Sequence, residues 1–254
     1  MTTRFTGRTA LVTGAGSGIG RTTALALAAE GARVVVAGRT AALLDETVAL
    51  IEERGGKALA ATADVSRAAD ANALVAAAVD HFGSLDVAVN NAGVFRGGQP
   101  LADLPEDDWH TQLDINVTGV FLALRAQIRR MRTQPAGGTI VNIASTLGLH
   151  TRRPGVAAYG ASKAAVAALT RAAALDHIAE GVRINAVSPG ATATAMSLRP
   201  GESETERGER VRHQLPLGRV SATAEVAAAV LYLASDDAAS VVGTDLVIDS
   251  GGSL

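Results

Sequence analysis

The chain contains no cysteine. That excludes disulfide bridges, thiolate-ligated metals and a cysteine nucleophile, and it fits a reducing compartment, so the cytoplasm is the expected location. Aromatic residues are scarce, at 3%, which leaves alanine and valine to fill the interior. No basic excess exists: the formal charge is −2 and no basic stripe is present, so neither nucleic acid nor an anionic membrane is an expected partner. The N-terminal run Met1-Thr2-Thr3-Arg4-Phe5-Thr6-Gly7-Arg8 lacks the apolar stretch of a secretory signal. The most alanine-rich run, Ala157 to Ala174, is broken by Lys163 and Arg171 and does not read as a membrane span. Asp176, His177 and Glu180 do not make a metal-ligand pattern, and no metal is expected.

What the chain does have is 254 residues, 48% of them hydrophobic, enough for a large core. Short β-branched runs alternate with longer helical patterns. Candidate strands are Thr9–Thr13, Arg33–Ala37, Ala58–Ala63, Asp86–Asn90, Thr139–Ala144, Arg183–Val187 and Leu246–Asp249. Candidate helices are Arg21–Glu30, Ala41–Arg54, Ala69–Phe82, Asp107–Arg132, Ala157–Ile178 and Ala224–Ala234. The strands are nearly continuous apolar runs, as a parallel sheet buried on both faces requires. The alternation predicts a doubly wound α/β fold. No linker or repeat divides residues 1–254, so a single domain is expected. The polar interlude Arg199–Arg212 reads either as a solvated loop or as part of a mobile lid at about 195–215.

A glycine-rich turn, Thr13-Gly14-Ala15-Gly16-Ser17-Gly18-Ile19-Gly20, follows the first strand and opens the first helix. Glycines there let backbone approach a pyrophosphate, and a helix N-terminus supplies free N–H groups to the anion. Ile19 stands where G-x-G-x-x-G would place its third glycine, and Gly20-Arg21-Thr22 excludes a Walker A loop. The second strand ends in Ala37-Gly38-Arg39-Thr40, with no acid to hold the ribose 2′-hydroxyl of NAD. Arg39 instead suits the 2′-phosphate of NADP, with Ser17 beside it, unless it is an ordinary solvated side chain. NADP(H) is therefore favoured and NAD(H) stays open. Asp64 reads either as an acceptor for the adenine amino group or as a turn carboxylate.

Tyr159 and Lys163 are four residues apart on one helix, hence on one face. A phenol with an ammonium nearby makes an acid/base near neutral pH, since the cation favours the phenolate. Ser145 is no hydrolytic nucleophile, because Ile143-Ala144-Ser145-Thr146-Leu147 lacks the G-x-S-x-G elbow.

Taken together, Thr13-Gly14-x-x-x-Gly18-x-Gly20, Asp64-Val65, Asn90-Asn91-Ala92-Gly93, Asn116, Ser145, Tyr159-x-x-x-Lys163 and Ser188-Pro189-Gly190 resemble the classical short-chain dehydrogenases/reductases over essentially the whole chain. The resemblance implies one Rossmann-type domain with a seven-stranded parallel sheet flanked by helices. It also implies an oxidoreductase acting on a carbonyl or secondary alcohol. In that reading Tyr159 is the acid/base, Lys163 lowers its pKa and holds the nicotinamide ribose, Ser145 orients the substrate oxygen, and Asn116 supports a relay water. Gly14, Ser17, Gly18, Ile19 and Gly20 would meet the phosphates. Asp64 and Val65 would meet the adenine, and Asn90, Ala92 and Gly93 would lie along the cofactor. Pro189, Gly190, Thr192 and Thr194 would fix the nicotinamide; the family commonly has an aliphatic residue at Thr192. The family commonly forms homotetramers through its last helices and strand, and often ends in Asp-Gly-Gly where this chain inserts a serine, Asp249-Ser250-Gly251-Gly252. Two other readings stay open: an NAD-dependent sugar- or sterol-type alcohol dehydrogenase, and a dinucleotide sensor without turnover. His150, Phe95 and Arg96 are candidates to border the substrate pocket, Arg152 and Arg153 read as solvated, and Trp109 as packing.

Overall fold

The computed structural model describes residues 3–254; Met1 and Thr2, read above as part of the N-terminal run, lie outside the described residues. Seven strands form one parallel sheet. They are β1 (Thr9–Thr13), β2 (Arg33–Gly38), β3 (Lys57–Thr62), β4 (Val87–Asn90), β5 (Gly138–Ile143), β6 (Val182–Pro189) and β7 (Asp245–Ile248). All seven expected strands are present, their ends shifted by only one or two residues. Their order is β3-β2-β1-β4-β5-β6-β7. The chain winds outward from β1 to β3 and then restarts beside β1 at β4. That reversal opens a crevice at the carboxyl ends of β1 and β4.

The helices are α1 (Gly18–Ala29), α2 (Ala41–Glu52), α3 (Ala68–Phe82), α4 (Glu106–Leu113), α5 (Gly119–Met131), α6 (Thr146–Leu149), α7 (Ala157–His177), α8 (Glu204–Arg212) and α9 (Thr223–Ala234). Successive strand residues point to opposite faces, and both faces are covered. Ala10, Val12, Val34, Val36, Val89 and Val141 pack with α1, α2 and α9. Leu11, Val35, Ala88, Ile140 and Ile184 pack with α3, α5 and α7. Each buried valine or leucine contributes about 1.5–3 kcal/mol. This two-sided burial is why the strands read as unbroken apolar runs.

Two expectations are corrected. The single helix expected over Asp107–Arg132 is divided: a π-helical turn, Asp114–Thr118, separates α4 from α5. The run Asp-Ile-Asn-Val-Thr has modest helix propensity, and the Asn116 side chain is committed to bonds outside the helix. The polar interlude Arg199–Arg212, read as a solvated loop or as part of a lid, contains a helix, α8, with a capping box, which corrects the loop reading alone. The Ser203 hydroxyl accepts from the Glu206 N–H at 3.3 Å, and the Glu206 carboxylate accepts from the Ser203 N–H at 2.8 Å. The Ser-x-x-Glu spacing was visible in the sequence and marks this start.

Ser250 is the one non-glycine residue at positive φ among the described residues, at 58°. Its hydroxyl lies 3.0 Å from that of Ser221, and both are buried. Left-handed backbone costs an L-residue roughly 1–2 kcal/mol. Ser250→Ala keeps that strain and loses the hydroxyl contact, whereas Ser250→Gly loses the contact but releases the strain. The glycine variant should be more stable than the alanine variant by about 1 kcal/mol in denaturant unfolding; the reverse order would remove strain from the account.

Candidate active site

The dinucleotide turn is built by close backbone approach. Gly14 has φ 66°, and a Cβ on it would lie 2.7 Å from Asn91 Nδ2 and 3.0 Å from Ala92 Cα. The Asn91 amide donates to the Thr13 carbonyl at 2.9 Å, and the Asn91 and Ala92 N–H groups both donate to Thr13 Oγ1 at 3.1 Å. The turns after β1 and β4 are thereby locked together at the crevice. Gly20 is as tightly enclosed, between Gly14 O and Asn91 Nδ2. The residues at the start of α1 suit an anion: the Ser17 side chain makes no capping bond and the first turn carries no acid, so its N–H groups and dipole are available. Ile19, partly buried, packs against the core beneath.

At the ends of β2 and β3, Arg39 is exposed and, among the described residues, has no ion pair or side-chain hydrogen bond. Asp64 Oδ1 accepts from the Ser66 hydroxyl at 2.7 Å and the Ser66 N–H at 3.0 Å. Those bonds, with smaller contributions from the Arg39 and Arg67 charges, hold its carboxyl below the usual range. Asp64 is thus a turn carboxylate with Oδ2 outside these bonds. Val65 lies against the start of α5, its Cγ2 3.0 Å from where a Gly119 Cβ would sit.

On the other side of the crevice, β6 ends in Pro189 and the chain continues through Gly190 to Thr192, which bridges Ser221. The Thr194 methyl lies 3.3 Å from where a Gly18 Cβ would sit. The segment expected at the nicotinamide therefore meets the segment expected at the phosphates.

Ser145 follows β5 and caps α6, its Oγ accepting from the Leu147 N–H at 3.2 Å. Tyr159 and Lys163 stand on α7, buried. What fixes Ser145 against them is contact between α6 and α7 backbones: a Cβ on Gly148 would lie 2.9 Å from Ala164 N, and one on Gly160 would lie 2.8 Å from Leu147 O. Asn116, fully buried, accepts from the Val94 N–H at 2.9 Å and donates to Val94 O at 2.9 Å and Ser162 Oγ at 3.1 Å. Ser162 in turn donates to the Tyr159 carbonyl at 2.8 Å. The Asn116 amide is spent on positioning. Gly93 brings the loop to the pair, its notional Cβ 3.2 Å from Asn116 Oδ1 and 3.5 Å from Lys163 Nζ.

The structure redraws several expected roles. The Asn90 side chain points inward, donating to Gln127 Oε1 at 3.0 Å and Asn142 Oδ1 at 2.9 Å, so only its backbone borders the crevice. His150 Nε2 lies 2.8 Å from Asp245 Oδ2, a buried carboxylate that also accepts from Ser188 at 2.6 Å. That bond ties the loop before α7 to β7, a partner 95 residues away that no local pattern announces. Phe95 meets Tyr159 edge-on, ring centroids 5.3 Å apart, and is 37% exposed. Arg152 and Arg153 are exposed, and Trp109 is half-buried. Ser162, Gly148 and Gly160 were missed by sequence reasoning; small residues around Tyr-x-x-x-Lys were the available signal.

Electrostatics at the pair follow burial. Desolvation raises the Tyr159 phenol above its usual pKa, with the Ser145 hydroxyl pulling the smaller way, downward. Desolvation lowers the Lys163 ammonium to about 8. Lys163 Nζ donates to Ile143 O at 2.8 Å and sits 5.8 Å from the Tyr159 ring centroid. Burial is the largest influence on the phenol in this packing.

The carboxyl-edge crevice, the anion-ready turn and the buried Ser–Tyr–Lys group define a dinucleotide-dependent oxidoreductase. A family model described as enoyl-(acyl carrier protein) reductase matches residues 14–253. The chain is 40% identical to the short chain dehydrogenase/reductase astE of Aspergillus oryzae, over 98% of this chain and 95% of that protein. It is 38% identical to a 3beta-hydroxysteroid dehydrogenase of Mediterraneibacter gnavus, over 98% and 95%. Its structure resembles that of levodione reductase with a TM-score of 0.92 and 37% identity, over 98% and 99%. The chain belongs to the short-chain dehydrogenase/reductase family and is an NAD(P)-dependent oxidoreductase acting on CH–OH and C=O groups. No helix among the described residues is long and apolar enough to cross a membrane.

A lysine whose folded pKa lies below its unfolded value binds fewer protons when folded. Stability from this group therefore rises with pH between about 8 and the free-lysine value. Lys163→Met should remove that rise. Urea unfolding of both proteins at pH 7.5 and pH 10 measures it, and an unchanged pH response in the variant would mean Lys163 is not desolvated.

Proposed function

We propose that the protein transfers a hydride between NADP(H), in preference to NAD(H), and a ketone or secondary alcohol, with Tyr159 as the proton donor and acceptor. One observation carries the chemistry: Ser145, Tyr159 and Lys163 converge, buried, beside the loop that carries Gly93. The nicotinamide, when bound, supplies or accepts the hydride. Ser145 and Tyr159 donate hydrogen bonds to the substrate oxygen as negative charge grows there. Tyr159, its pKa raised by burial, holds its proton at neutral pH and suits delivery to that oxygen. Lys163, mostly protonated at pH 7 with a pKa of about 8, holds the ribose hydroxyls. Asn116 positions Val94 and, through Ser162, the Tyr159 backbone. Phe95 gives the pocket an apolar wall against the phenol.

For the cofactor, the support is Arg39: exposed, unpaired, following Gly38 at the end of β2 with no acid there. A guanidinium matches a 2′-phosphate in geometry and charge. Ser17, uncapped and exposed, would share it, and Asp64 Oδ2 would accept from the adenine amino group. Exposed Tyr232 on α9 and Val242 before β7 support a homotetramer assembled through the last helix and strand.

Tyr159→Phe should keep dinucleotide binding and lose turnover by about 10²–10⁴-fold; near-normal turnover would refute the acid/base assignment. Titration of the protein with NADPH and NADH, followed by nicotinamide fluorescence, should show NADPH tighter by about tenfold or more, the yield of one charge-assisted contact. Arg39→Ala should erase that difference. Equal or tighter NADH binding would make Arg39 a bystander and the enzyme NAD-dependent.

A further inference from the structure

Arg207 is 5% exposed, although it sits on α8, a short polar helix packed on the turn that follows β6. Its Nη1 donates to the Thr194 carbonyl at 3.2 Å and to Ser197 Oγ at 3.0 Å. Its Nε is buried without a partner. The nearest carboxylate, Glu204, is 4.0 Å from Nη2 and 84% exposed. This is a desolvated cation with weak neutralisation, in a place where an aliphatic side chain of similar volume would cost the fold less. The turn it grips, Thr194 to Ser197, is the one whose Thr194 methyl rests on Gly18 in the anion-ready start of α1. Arg210 adds a second hold on the same turn, donating to Ser197 O at 3.2 Å while paired with Glu202.

We propose that Arg207 is the positioning residue that ties α8 to the bound dinucleotide, by holding the Thr194–Ser197 turn against the glycine-rich turn. The inference rests on the reading of that crevice as the dinucleotide site. When the anion occupies the start of α1, Thr194 is held from below by the dinucleotide and from above by Arg207, and α8 is pinned. Without the Arg207 guanidinium, α8 keeps its own capping box and stays helical, but only the Arg210 contact to Ser197 O still couples it to the turn, and the direct hold on Thr194 is lost.

The test uses Arg207→Met, which keeps the packing and removes charge and donors, and Arg207→Lys, which keeps the charge. Trypsin has three cleavage points on α8; those at Arg210 and Arg212 are shared by the unaltered protein and both variants, and they are the ones followed, by mass spectrometry. In the unaltered protein, saturating NADPH should suppress both cuts. In Arg207→Met the cuts should persist at saturation and NADPH binding should weaken about tenfold, with melting temperature unchanged within a few degrees; Arg207→Lys should recover part of both. If Arg207→Met fails to fold, Arg207→Lys carries the test, with intermediate protection expected. Unaltered binding and full protection in the variant would make Arg207 a packing residue and overturn the proposal while leaving the dinucleotide site intact. Failure of the unaltered protein to bind either dinucleotide would overturn the site reading itself, and the coupling with it.

Discussion

A parallel sheet covered by helices on both faces has no wet side. Every polar group that is to meet a ligand must therefore reach the edge of the sheet where the strands end, either from a strand's own end or, like Tyr159 and Lys163, from a covering helix. That constraint organises this molecule. Gly14, Arg39, Asp64, Ala92, Ser145 and Gly190 all follow the carboxyl ends of β1 to β6. The reversal of strand order between β1 and β4 then leaves one crevice along that edge. The site is a consequence of how the core is closed.

The same burial sets the chemistry. Tyr159 and Lys163 are desolvated by packing that also fixes their geometry, so their pKa values move in opposite directions and apart, phenol upward and ammonium downward to about 8. The polar groups behind them are satisfied. Asn116 makes three hydrogen bonds, and Asn90, Gln127, Asn142 and Thr170 form a closed buried network across β4, β5, α5 and α7. A fully bonded network of this kind holds one arrangement rigidly, which catalysis by positioning requires.

Much was legible in the sequence because it is local. Strand positions follow from apolar runs, the anion site from glycines between a strand and a helix, and the Tyr–Lys pair from helical spacing. What escaped depends on distant partners. The π turn at Asp114–Thr118 accompanies the commitment of Asn116 to Val94 and Ser162. His150 read as a candidate to border the pocket, and its bond to Asp245 was hidden because Asp245 approaches it only after β7 joins the sheet. Asn90 sits in a motif that suggests ligand contact, yet its side chain faces Gln127. The helix α8 is a different kind of miss: its capping box was written locally, but the charged composition suggested a loop.

The sequence by itself determined the fold class, the winding of the sheet and the residue types at the site, because hydrophobic period, turn chemistry and helical spacing act over a few residues. Only the tertiary structure decided which side chains are free to meet a ligand and which are consumed in support. It left Arg39 unpaired and turned Asp64 toward Ser66, and it buried Arg207 against Thr194. Desolvation and hydrogen-bond partnership are set by whatever packs from elsewhere in the chain, and these two quantities fix the acidity of Tyr159 and the charge of Lys163.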